Sequence, residues 1–96
     1  MTQNLIEPRF EWDAAKSASN LIKHGLDFET AQALWLDSRA YSLPARNTGP
    51  EARVLTTGMI AGKVYTAVST ERTGKTRITS VRRARKNEEA IYYAQQ

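Results

Sequence analysis

The residues best suited to chemistry lie between Thr70 and Lys86, where the sequence reads T-E-R-T-G-K-T-R-I-T-S-V-R-R-A-R-K. The part after Glu71 has cations but no acid, and Ile78 and Val81 distinguish it from a solvated polybasic tail. The stretch predicts a basic strand leading into a basic helix start, a surface suited to phosphates. The alternative is an ordinary charged solvent face. The cations are Arg72, Lys75, Arg77, Arg82, Arg83, Arg85 and Lys86.

The charge of the chain is unevenly distributed. Residues 1 to 48 carry five basic and six acidic side chains (net −1), whereas residues 49 to 96 carry nine and four (net +5), which together give the net charge of +4. A local excess of cations is what an anion-binding face requires. The absence of cysteine excludes disulfides and thiolate zinc sites, and a single histidine argues against a histidine metal cluster. We therefore expect neither a metal nor a cofactor.

Two short helices that pack as a hairpin are predicted before residue 37. Asp13 and Asp27 suit their N-caps, and Gly25 suits the left-handed position that ends the first helix. The second helix is predicted to run to Leu36. Three- and four-residue spacing predicts a buried stripe on each helix. The first stripe is Ala14, Ala15, Ala18, Leu21 and Ile22, and the second is Phe28, Ala31, Leu34 and Trp35. Trp12 and Trp35 are predicted core residues.

The rest of the chain is rich in β-branched residues and turn signals, which favours antiparallel strands. Four are predicted: Arg39–Leu43, which Pro44 ends, Arg53–Ile60, Lys63–Thr70 and Lys75–Arg83. Ala61-Gly62 and Thr73-Gly74 mark hairpin turns, and Asn87-Glu88-Glu89 begins a third helix through Tyr93. We expect one α+β domain over residues 1–96, with two N-terminal helices, a four-stranded antiparallel sheet and a C-terminal helix.

Alternation along the last strand separates two of its arginines. In an unbroken strand, Arg77 and Arg82 lie on opposite faces of the sheet. A site that uses both therefore needs a bulge, a strand end or a twist between them.

Motifs spread in order from about residue 10 to residue 93 resemble the BrnT family, toxins of bacterial type II toxin-antitoxin pairs. The most specific are Phe10-Glu11-Trp12-Asp13, Lys23-His24-Gly25 and Arg77-Ile78-x-Ser80-x-Arg82-Arg83-Ala84. The other matching residues are Lys16, Asn20, Phe28, Glu29, Ala31, Asp37, Glu51, Arg53, Gly58, Glu88 and Tyr92. In this chain Ala52 separates Glu51 from Arg53, which usually adjoin.

This resemblance implies a compact α+β fold akin to the RelE-type ribonucleases and an endoribonuclease activity that stops translation. It also implies a BrnA-type antitoxin whose ribbon-helix-helix part binds operator DNA, so we expect a hetero-oligomer, 2:2, with DNA bound only through the antitoxin. No apolar run approaches the roughly 20 residues that cross a bilayer, and no signal sequence is evident, so a cytoplasmic protein is expected.

Metal-free RNA cleavage needs a base for the 2′-hydroxyl, cations for the pentavalent phosphate and an acid for the leaving oxygen. Arginine suits the second task, and Arg53, Arg77 and Arg82 are our catalytic candidates because the resemblance marks their positions. Each could instead make a non-catalytic phosphate contact or a salt bridge. His24 is the acid–base candidate, since histidine ordinarily titrates with a pKa of about 6.5. It could also simply cap its helix end.

The remaining candidates would bind RNA. They are Lys23, Arg72, Lys75, Ser80, Arg83 and Tyr92. Ser80 could instead fill a small strand position, and Tyr92 could pack the third helix on the sheet. Glu51 and Glu71 are possible bases, although ion pairing within the basic strand suits both. The rival functions are a non-catalytic RNA- or DNA-binding module and a protein–protein module that meets an acidic antitoxin segment.

Overall fold

The structure, a computed structural model, describes residues 9–45 and 52–95. The predicted loop at Asn47–Pro50 and the candidate base Glu51 lie outside these ranges. The described elements are β1 Phe10–Glu11, α1 Ala14–His24, α2 Phe28–Ala31, a 3₁₀ helix Gln32–Leu36, β2 Tyr41–Pro44, β3 Arg53–Ile60, β4 Lys63–Arg72, β5 Lys75–Arg83 and α3 Lys86–Ala94. The predicted α+β class is confirmed.

The sheet corrects the prediction of four antiparallel strands. Its order is β1-β5-β4-β3-β2, and β1 pairs parallel to β5, with Glu11 opposite Arg77. A two-residue strand is too short to leave a periodic pattern in the sequence. The predicted first strand also begins too early, because Asp37 makes a turn in which its side chain accepts a bond from the Arg39 N–H at 3.0 Å. Pro44, predicted to end the first strand, is the last residue of β2, an outer strand of the sheet, where a missing N–H is tolerated.

The core lies between one face of the sheet and the segment that contains α1, α2 and the 3₁₀ helix, whereas α3 packs on the opposite face. The buried residues of that segment are Leu26 in the α1–α2 turn and Phe28, Ala31 and Leu34 in the helices, and the buried strand residues are Tyr65, Ala67, Ile78 and Val81. Trp12 and Trp35 pack against this cluster, which confirms both as core residues. The 3₁₀ helix lies close to β3 at Gly58, where an added Cβ would lie 3.1 Å from the Leu34 carbonyl oxygen. Gly58 therefore permits close packing.

The caps predicted at Asp13 and Asp27 and both predicted turns are confirmed, whereas α3 begins at Lys86, one residue before the predicted start at Asn87, with Arg85 as its N-cap. The Asp13 carboxylate accepts bonds from the Ala15 and Lys16 N–H groups at 2.8 and 3.2 Å, and Asp27 accepts from Thr30 at 2.9 Å. Both hairpin turns have two residues in the left-handed region, as type I′ turns require, with φ of 52° and 80° at Ala61-Gly62 and 46° and 82° at Thr73-Gly74.

The packing of α1 contradicts its predicted buried stripe. Ile22 is 85% exposed and Leu21 48% exposed, while the helix buries two polar residues, Ser17 and Asn20. The reason lies in β5, whose backbone is not paired by the short β1 beyond Arg77. The Asn20 amide donates to the carbonyls of Leu26 and Val81 at 2.8 and 2.9 Å, and its oxygen accepts from the Val81 N–H at 3.2 Å. Asn20 thus takes the place of a neighbouring strand.

We expect Asn20→Ala to lower the free energy of unfolding by about 2–3 kcal/mol, because it leaves buried backbone groups of β5 and the α1–α2 turn unpaired. Chemical denaturation measures this change. Ile22→Ala, two residues further along α1 on its exposed side, is the control and should change the free energy of unfolding by less than about 0.5 kcal/mol. A larger loss for Ile22→Ala than for Asn20→Ala would contradict this account of how α1 is held.

Candidate nucleic-acid interface

A β-bulge in β5 determines which side chains share a face. Val68 pairs with Ser80 and Ser69 with Ile78, so Thr79 is an extra residue without an opposite partner. Its hydroxyl donates to the Val68 carbonyl at 3.1 Å. The extra residue shifts the alternation by one. Accordingly Ile78 and Val81, three residues apart, are both buried in the same core.

The bulge brings Arg77, Ser80 and Arg82 to the sheet face opposite the core. Cross-strand register adds further cations to that face, because directly opposed residues point the same way. Arg53 opposes Thr70, Thr70 opposes Arg77, and Arg72 opposes Lys75 in the adjacent row. We call Arg53, Arg72, Lys75 and Arg77 the basic patch. Two strand spacings of about 4.8 Å separate the backbones of Arg53 and Arg77, a span suited to a phosphate between two guanidinium groups.

Arg53, Thr70 and Arg77 oppose one another across β3, β4 and β5, and we call them the central row. The basic patch is open to solvent at the two arginines of this row. Arg53 is exposed, and the Arg77 side chain is 29% exposed. One Arg77 nitrogen contacts the Glu11 carboxylate at 3.4 Å, and Glu11 is itself 32% exposed. A long, half-exposed contact of this kind contributes little to stability. Arg77 therefore keeps donors available for an anion.

Arg82 shares this face but is bound to a carboxylate. Its two terminal nitrogens contact the two Glu88 oxygens at 2.8 and 2.9 Å. Glu88 also accepts bonds from the Thr66 hydroxyl at 3.0 Å and the Arg85 N–H at 2.8 Å. The hydrogen bonds from Arg82 are the main cause that lowers the pKa of Glu88 to about 2, against the opposing effect of burial. Arg82 thus fastens the start of α3 to the sheet.

Two other candidates are also held by internal contacts. Tyr92 is 2% exposed and its hydroxyl donates to Asp37 at 2.6 Å, and burial together with that carboxylate raises the pKa of Tyr92 to about 12. This placement favours its alternative role, packing α3 on the sheet. Arg83 lies on the core face of β5, where its guanidinium is 5.7 Å from the Tyr65 ring centroid.

A separate cleft lies between α1 and the bulge. It collects side chains from one side of α1, from its first turn to its last, and from two residues of β5. Its lining residues are Lys16, Ser19, Asn20, Lys23, His24, Thr79 and Ser80. The cleft therefore unites His24, Lys23 and Ser80 from our candidates. Ser80 also lies between Arg77 and Arg82 on the face of the basic patch, so the cleft and the patch are neighbours across β5.

Several residues at these sites were not predicted from the sequence to be part of a site. Lys16 lies about two helical turns before Lys23 and His24, a spacing that could have revealed a shared face. Thr70 and Thr79 carried no sequence signal, because their placement depends on strand register. Glu11 opposes Arg77 only through β1. Within residues 9–45 and 52–95, no three His, Cys, Asp or Glu side chains are grouped as a metal site would need.

The fold and this interface define a small α+β protein whose cationic sheet face is suited to a polyanion. The chain belongs to the BrnT family: the model of this family, described as the ribonuclease toxin BrnT of a type II toxin-antitoxin system, matches residues 12–88. The family is thus one of ribonucleases that are paired with antitoxins. A search of curated proteins finds no match to this chain. In the described residues, no helix is long and apolar enough to cross a membrane.

Proposed function

We propose that this protein is an endoribonuclease toxin that cleaves RNA without a metal ion and blocks translation. The observation that carries the proposal is the convergence of cations from three strands on one sheet face, next to a cleft that contains His24. RNA supplies its own nucleophile, the 2′-hydroxyl. The protein has only to hold the phosphate, stabilise added negative charge and move two protons.

In this mechanism Arg53 and Arg77 bind the scissile phosphate from opposite sides of β4. Their charge-assisted hydrogen bonds strengthen as the phosphate becomes pentavalent, which lowers the barrier. Arg72 and Lys75 hold the adjoining phosphate, since their row is next along the strands. No covalent step involves the protein.

His24 is assigned one of the two proton transfers and Lys23 a supporting phosphate contact. An RNA strand that passes from the basic patch over Ser80 enters the cleft where both lie. The exposed position of His24 at the end of α1 leaves its ring accessible to a ribose. Arg82 contributes indirectly, by holding α3 through Glu88.

The partner we propose is a BrnA-type antitoxin in a 2:2 complex, which binds operator DNA through its ribbon-helix-helix part. An acidic antitoxin segment over the basic patch would neutralise the toxin, because it occupies the cations that RNA needs. We place both proteins in the cytoplasm, where their RNA targets are.

Induced expression of the chain, alone and with its genomic neighbour, tests this proposal. Alone, it should arrest growth and protein synthesis, and the purified protein should cut RNA in EDTA. Cleavage that disappears in EDTA and returns with a divalent ion would overturn metal independence. RNA that is bound in a steeply salt-dependent manner but stays intact would instead indicate a non-catalytic binding module.

A further inference from the structure

We propose that the Thr70 hydroxyl is a third phosphate donor, which positions an RNA phosphate between Arg53 and Arg77. This inference rests on the proposed function and names a residue of its binding site. Thr70 lies in the centre of the row, directly opposite Arg53 on β3 and Arg77 on β5. Its side chain therefore points to the same face as both guanidinium groups.

The hydroxyl of Thr70 is buried and lacks a hydrogen-bond partner. Thr70 is 3% exposed, and of the buried side-chain polar atoms in the described part of the chain, its Oγ1 is the one left unpaired. The equally buried Thr57 and Thr66 bond to each other at 2.8 Å, and Thr56 bonds to Ser42 at 2.8 Å. Since a buried hydroxyl without a partner is destabilising, the exception at Thr70 calls for an explanation.

A phosphate supplies the missing partner. Its non-bridging oxygens accept hydrogen bonds. The Thr70 hydroxyl would donate from the sheet beneath the phosphate, and the two guanidinium groups would donate from either side of it. Access requires the flanking side chains to turn aside. Arg53 is exposed, and the 3.4 Å Arg77–Glu11 contact is weak enough to be exchanged for the anion. When the Arg77 side chain exchanges Glu11 for the phosphate, the same displacement gives the phosphate access to the Thr70 hydroxyl.

Thr70→Val distinguishes a ligand-binding role from a packing role. Valine keeps the shape of threonine and removes only the hydroxyl. If Thr70 serves the ligand, the variant should unfold at a temperature equal to or above that of the wild type, yet bind RNA less tightly. Thr57→Val is the matched control, because it removes a hydroxyl that is bonded within the protein. It should lower the unfolding temperature and leave RNA affinity unchanged.

The experiment uses the full chain and a 2′-O-methyl oligoribonucleotide, which binds but lacks the nucleophile for cleavage. Fluorescence anisotropy at fixed salt should give about tenfold weaker binding for Thr70→Val, the loss of one charge-assisted bond. Wild-type affinity in Thr70→Val, a lowered unfolding temperature for it, or no binding by the wild type would overturn the inference. Weakened binding by Thr70→Val would support it even if natural RNA stays uncut, an outcome that refutes only the proposed nuclease activity.

Discussion

RNA cleavage by the Arg53→Ala/Arg77→Ala variant is expected to fall about 10³-fold or more, and its expression should no longer arrest growth. The two guanidinium groups are the paired donors on the central row of the basic patch. Removing both leaves the pentavalent phosphate without its nearest positive charges. The fold should persist, because Arg53 is exposed and the contact of Arg77 with Glu11 is long and half-exposed. Cleavage rates on a defined RNA, with circular dichroism for folding, measure both effects.

The matched control is Lys63→Ala/Lys86→Ala. It removes two positive charges, as the test variant does, from exposed positions at the β3–β4 turn and at the start of α3. We expect it to lose only the small affinity that general attraction supplies. Equal loss of cleavage in both variants would mean that cleavage depends on the net charge of the protein and not on the position of Arg53 and Arg77. Full toxicity of Arg53→Ala/Arg77→Ala would refute the site.

The second large effect concerns the ion pair between Glu88 and Arg82. We expect Glu88→Ala to lower the free energy of unfolding by about 3–5 kcal/mol, because it strands a guanidinium that is only 23% exposed. It also removes the acceptor for the Thr66 hydroxyl and the Arg85 N–H. The free energy of unfolding of a small domain is about 5–15 kcal/mol in total, so the variant should be close to unfolding. Urea denaturation measures the loss.

A compensated variant separates structure from catalysis at Arg82. Arg82→Met/Glu88→Leu replaces the pair by apolar side chains and should regain the part of the stability that Glu88→Ala loses by leaving the guanidinium unpaired. If Arg82 acts only by holding α3, this double variant remains toxic. A stable double variant that cuts no RNA would instead return Arg82 to the catalytic residues.

Acid titration provides an independent measurement of the same pair. The pKa of Glu88 is about 2 in the folded protein and 4.5 ordinarily, so its ionised form is favoured by folding. Its contribution is complete above pH 4.5 and is lost as the pH falls towards 2, by a total on the order of 3 kcal/mol. Glu88→Gln should flatten stability across this window. Glu89→Gln, at the half-buried next position of the helix, keeps the Glu88–Arg82 pair and should retain the wild-type slope.

Local rules predicted much of this fold correctly. The caps at Asp13 and Asp27 and the turns at Gly62 and Gly74 depend only on adjacent residues, and all of them are where the sequence placed them. The second helix also buries Phe28, Ala31 and Leu34 of its predicted stripe, with Trp35 half-buried against them, although part of it is a 3₁₀ helix. The cations of the basic strand were visible for the same reason, because their type and order are local information.

Features that depend on distant partners could not be predicted. The stripe on α1 was wrong because burial of this helix is decided by Asn20, which bonds to Val81 61 residues away. The strand β1 exists only through its pairing with β5. The sequence contains both Arg82 and Glu88, but no spacing rule distinguishes that bound arginine from the exposed Arg53. Thr70 acquires its position only through the register of three strands.

The extra residue at Thr79 makes β5 two half-strands of opposite parity. Before Thr79 along the chain the even-numbered side chains enter the core, and after it the odd-numbered ones do. The alternation of inward and outward side chains therefore changes within one strand. The change of parity therefore depends on the number of residues in this part of the strand and not on which side chain stands at position 79. A one-codon deletion of Thr79 would join Ile78 to Ser80 and restore regular alternation, with Val81 still in the core and Ser80 and Arg82 still on the opposite face. We therefore expect relatives with one residue fewer between Arg77 and Arg82 to keep the same faces and to differ in the local bend of the strand.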